Sequence, residues 1–125
     1  MRALEQPTFR NFILAAFDNT VEFLGSKEHP SSCFTLTGAI SCGADTGPAK
    51  ILMREMRLHN EAAIKARLLK ARKAREFPRE ENIDDYTRYL SSLLSGLAVQ
   101  VANGSTRTEL KRTAEVALRH LGVDR

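Results

Sequence analysis

LSSLLSGLAVQVA, residues 90–102, carries no charged side chain, and its apolar residues recur at helical rather than strand spacing. Leu90, Leu93, Leu94, Leu97 and Val101 make one stripe, which Tyr86 and Tyr89 extend backwards. The opposite side is not polar enough to be solvated: Ser91, Ser95, Ala98, Val99 and Ala102 are small or apolar, and Ser92 and Gly96 lie four apart, where another backbone could approach. A helix this apolar around its circumference must be covered on more than one side. In so short a chain a second copy is the expected source of part of that cover.

Working outward, the remaining sequence also reads as helix, giving one all-α domain of about five helices at 8–25, 32–43, 47–77, 84–103 and 106–121. The first follows Pro7, sets Phe9, Phe12, Ile13, Ala16, Phe17 and Val21 on one side, and stops at Gly25. The second, around CFTLTGAISC (33–42), has strand-like composition, but a lone buried strand would have nothing to pair with. Thr46 and Pro48 mark the start of the third, and Pro78 marks its end. It carries two stripes, Leu52, Met56, His59, Ala63 and Ala66 beside Ile51, Leu58, Ala62 and Leu69, while its C-terminal half, KARLLKARKAREF, is mostly charge and alanine with one exposed side. Asn82 or Asp84 caps the fourth helix, and Ser105 or Thr106 the fifth, whose apolar face is Leu110, Ala114, Ala117, Leu118 and Leu121. The short Gly104-Ser105 connection makes the last two helices an antiparallel hairpin.

The composition is that of an ordinary globular chain: 125 residues suffice for a single domain with a core, 42% are hydrophobic, and 27% are charged. A net charge of +4 permits a nucleic-acid partner without requiring one. The basic run Lys65, Arg67, Lys70, Arg72, Lys73, Arg75 is diluted by alanine and followed by Glu76, Glu80 and Glu81, the pattern of a solvated helix face. Cys33 and Cys42, roughly 13 Å apart if helical, are too distant for a disulfide and fit no zinc spacing. The N-terminus lacks the shape of a signal peptide, and the uncharged run falls short of the ~20 residues that span a bilayer, so a cytoplasmic protein with no membrane partner is expected.

Signatures of catalysis are missing: no phosphate-cradling glycine loop, nucleophile elbow, HExxH or CxxC is present. His29, His59 and His120 are scattered, each with only one ligand-type residue four positions away (Cys33, Glu55 and Asp124), which is short of a ligand set, so no metal or other cofactor is expected. His59 has two readings. It is either a hydrogen-bonded core histidine or the polar group of an apolar cavity that Phe12, Phe17, Phe34, Met53, Met56, Tyr86 and Tyr89 would line. A helical enzyme pairing His59 with Glu55 or Asp18 has no support in the spacing.

Two stretches carry a family resemblance: PSSCFTLTGAISCG (30–43) and LLSGLAVQVANGSTRTELKRTAEVALRHL (93–121). With the helix order, they resemble the C-terminal regulatory domain of TetR/AcrR-family transcriptional regulators, the final hairpin being the specific part. The resemblance implies a non-enzymatic sensor whose last two helices pair with those of a twin as a four-helix bundle. Carried over, Leu93, Gly96, Leu97, Gln100, Val101, Leu110, Ala114, Ala117 and Leu118 would form the homodimer contact. The preceding helices would enclose a small hydrophobic effector. Family members bind DNA through an N-terminal helix-turn-helix head that these residues do not contain, so operator recognition is expected only through such a head. Position 32 also departs from the family pattern, with Ser in place of Gly. The alternative is a stand-alone helical dimerisation protein with no small-molecule ligand.

Overall fold

Helix α1 (Phe9–Leu24) starts where Thr8, in extended conformation, turns its hydroxyl to accept the Asn11 N–H at 3.1 Å. A computed structural model describes residues 2–26 and 47–123. The expected helix at 32–43, with Phe34 and both cysteines, lies outside the described residues. Among those residues are a 3-10 turn (Arg2–Glu5), four α-helices and no strand. The others are α2 (Gly47–Lys73), α3 (Ile83–Ala102) and α4 (Arg107–His120).

The caps follow the sequence signals. Asn82 accepts the Asp85 N–H at 3.0 Å and opens α3, and Thr106 accepts the Glu109 N–H at 3.2 Å and opens α4. Both helices end on left-handed glycines, Gly104 and Gly122, with the paired backbone hydrogen bonds of a Schellman turn. In the second of these, the Val123 N–H reaches the Leu118 carbonyl at 2.9 Å, and both side chains are buried. Gly25 differs: its φ is −80°, so it is not there for backbone freedom. A Cβ at that position would meet the Arg107 stem at 3.1 Å.

Helix α2 stops four residues before the expected Phe77. Its terminal turn closes through Arg75 N–H to the Arg72 carbonyl (3.0 Å) and Glu76 N–H to the Ala71 carbonyl (2.9 Å), with Arg75 at φ 61°. Leaving the helix here frees Glu76 to accept the Phe9 N–H at 2.5 Å, capping α1 from 67 residues away. It also turns Phe77 into the core, edge-on to Phe9 and Tyr86 at ring separations of 5.9 and 5.0 Å. Arg75→Gly is expected to stabilise the fold by about 0.5–1 kcal/mol, because glycine removes the Cβ penalty of the left-handed region but adds freedom to the unfolded chain. Urea denaturation reads it; a loss of stability would show that the Arg75 side chain holds this turn.

Helices α3 and α4 pack as the expected hairpin, α1 lies against both, α2 packs on α3, and the 3-10 turn rests on α1 and α2. The core between them centres on Phe12, Ile13, Phe17, Leu68, Leu110 and Leu118. Helix α2 enters it only through its later turns, at Ile64, Arg67, Leu68 and Ala71. This corrects two expectations. Arg67 is not on a solvated face but 5% exposed, and the Leu52–His59 stripe is exposed rather than covered. Twenty-seven residues of helix run ~40 Å, further than α1 and α3 reach alongside them.

Candidate functional site

The expected contact surface divides in two. Leu97, Leu110, Ala114 and Leu118 point into the chain's own core, Leu97 being 3% exposed, and so cannot form an outer surface. The reason is the hairpin itself: with α1 laid across it, the most apolar side of each helix is used within the chain. Leu93, Val101 and Ala117 are half-buried against that core, while Gly96 and Gln100 are exposed. From Tyr89 (45% exposed) onward the surface left on α3 is Ser92, Ser95, Gly96, Gln100 and Ala102, and one turn earlier Asp85 and Arg88 are exposed as an ion pair. A Cβ built on Gly96 meets nothing within 4 Å, so the glycine is not demanded by packing within the chain. On α4, Val116 is 43% exposed. Sequence reasoning passed over it because it falls outside the Leu110–Leu118 stripe; a valine among charged positions was the available signal.

The residues expected to line an effector cavity do not come together. Phe12 and Phe17 are core side chains, and Tyr86 is buried against Phe9 and Phe77. Tyr89 stands edge-on to Tyr86 at 5.9 Å with nearly half its surface exposed. Met53 is half-buried, and Phe34 lies outside the described residues. Met56 and His59 do share a site, a shallow cleft of about 260 Å³ along α2, with Leu52, Glu55 and Asn60. His59 is exposed there, so the core-histidine reading is corrected as well. The separation has a plain cause: Phe12 and Phe17 of α1 are buried where the helices cross, whereas this stretch of α2 is exposed.

A second cleft, of about 660 Å³, runs between α1 and α4 over Val21 and Ala114, with Asp18, Glu22, Arg107, Lys111, Arg112 and Glu115 around it. Arg107 reaches Glu22 across it at 2.6 Å. Asp18 and His59 therefore line different clefts. Among the described residues no group of three His, Cys, Asp or Glu is placed to hold a metal ion. No helix among them is long and apolar enough to cross a membrane.

An exposed ion pair links α2 to the first turn of α3. Lys65 meets Asp84 at 2.8 Å, and this hydrogen bond, with the ammonium charge, holds the Asp84 carboxyl below its ordinary 3.8. A lowered folded value means that the stabilisation is present above the unfolded value and is lost as pH falls through the folded one. Asp84→Asn is therefore expected to lower the urea midpoint at neutral pH and to match the parent in strong acid. A difference independent of pH would point instead to packing. Tyr86, by contrast, is pushed up to about 12, first by burial and then by the neighbouring Tyr89 and Glu81. Its phenol stays neutral throughout the physiological range.

Compared with protein-family models, curated proteins and solved structures, the chain finds no match.

Proposed function

We propose that this chain is the effector-binding and homodimerisation domain of a TetR-type transcriptional repressor, a non-enzymatic cytoplasmic sensor. In this reading operator recognition belongs to a helix-turn-helix head outside these 125 residues. The observation that supports it most is the later part of the outer side of α3, where Tyr89, Ser92, Gly96 and Gln100 leave an uncharged surface beyond the exposed Asp85–Arg88 pair. Two copies of the α3–α4 hairpin, laid against each other there, would make a four-helix bundle with a self-complementary two-fold contact. The mechanism is a shift between two dimer geometries, driven only by the difference in an effector's affinity for them. The surface offered to a small hydrophobic effector is the exposed part of α2 around Leu52, Met56 and His59. A thermal-shift screen of neutral and amphipathic small molecules tests the sensor half. Stabilisation by a ligand, lost on His59→Ala or Met56→Ala, is the expected result; stabilisation that both variants retain contradicts this placement.

One observation favours the second reading, a dimerisation protein with no ligand. Phe12 and Phe17, expected to line a cavity, are instead packed at 1% exposure. That reading predicts the same dimer and no stabilising molecule.

A further inference from the structure

Arg67 is the one charged side chain buried among the described residues, and its guanidinium faces no carboxylate. Its Nη2 donates to the Gln6 carbonyl at 3.1 Å, and its Cζ lies 5.5 Å from the centre of the Phe12 ring. Its Nε is buried with no hydrogen-bond partner. The Gln6 carbonyl belongs to the segment that folds over α1 and α2 as the 3-10 turn Arg2–Glu5, with Ala3 fully buried beneath it. Past the 3-10 turn, the Gln6 N–H bonds the Ala3 carbonyl at 3.3 Å, and Leu4 packs partly buried against the core.

We propose that Arg67 is a latch that holds residues 2–6 as a releasable strap, so that the position of α2 governs whether the strap is docked or lifted. A docked strap gives Arg67 one backbone acceptor and an aromatic face, yet it leaves a buried N–H of a charged group unsatisfied, which is costly. A lifted strap loses the Ala3 contact but lets water reach both the guanidinium and the Gln6 carbonyl. Lifting the strap relieves that one cost, so a displacement of α2 that moves Arg67 away from Gln6 favours release. Beyond the strap, Glu76 holds the Phe9 N–H independently, so α1 itself stays capped when the strap lifts. This device does not depend on the sensor reading, because it operates within one chain without a ligand.

Hydrogen exchange on the full chain tests it, comparing the parent with Arg67→Met and Arg67→Lys. Met fills the space of the stem without leaving a buried charge. The segment 2–6 is expected to exchange at least about tenfold faster in Arg67→Met, the loss of a charge-assisted hydrogen bond. Arg67→Lys, which keeps the charge but not the fork, should fall between the two. The Phe9 amide and α4 should be unchanged in both. Parent-like exchange at 2–6 would overturn the proposal, as would equal acceleration through α3 and α4, which would make Arg67 a support of the whole core. Should Arg67→Met fail to fold, Arg67→Lys decides alone: faster exchange confined to 2–6 supports the latch, and any other pattern overturns it.

Discussion

Phe12→Ala is expected to destabilise the chain by about 3–5 kcal/mol, a large share of the 5–15 kcal/mol that holds a typical domain together. Phe12 is 1% exposed, packs within the Phe12–Ile13–Phe17 cluster of α1, and carries the Arg67 guanidinium over its ring. Truncation removes the ring's burial and leaves a cavity that the crossing helices cannot close. It also strips the guanidinium of its aromatic face, which adds to the cost. Urea denaturation followed by circular dichroism measures the loss. The result also separates the two placements of this residue: a side chain lining a preformed effector cavity would already border empty space, and its removal would cost well under 3 kcal/mol.

The second large effect falls on assembly rather than on folding. Gly96→Glu should convert the proposed dimer to monomer at micromolar concentration while leaving helicity intact. Nothing lies within 4 Å of a Cβ at Gly96, so the single chain accommodates a side chain there. Replacing a helical glycine even raises intrinsic helix propensity, by up to about 1 kcal/mol. In a two-fold contact the change appears twice, placing two carboxylates in a surface that is otherwise uncharged from Leu90 to Ala102. Gly96→Ala should likewise stabilise the monomer slightly, and should weaken the dimer only if the backbones cross closely at that point. Light scattering with parallel circular dichroism reads both variants. A parent-like mass for Gly96→Glu would move the contact away from α3.

The elements with local punctuation were legible in the sequence. Thr8, Asn82 and Thr106 cap as hydroxyl and amide side chains at those positions should, and Gly104 and Gly122 stop the last two helices. The features that escaped depend on distant partners. Pro78 was the visible stop for α2, but the helix leaves earlier through a left-handed arginine, because Glu76 and Phe77 are needed at the start of α1. Periodicity also shows which residues share a face without saying what covers it. Leu97, Leu110 and Leu118 were thus correctly grouped as apolar, yet their side faces inward rather than toward a twin. The Leu52–His59 stripe had the same form but lies exposed. Arg67 was hidden inside a basic run; its place on the Ile64–Leu68–Ala71 face marked it for burial, but the Gln6 carbonyl that receives it lies 61 residues away in sequence.

The central claim is that the α3–α4 hairpin is built to be covered by a second copy of itself. Sedimentation equilibrium of the unaltered chain across the micromolar range tests it most directly. The account predicts a species of twice the 14.0 kDa chain mass. A single species at the chain mass throughout that range would contradict it.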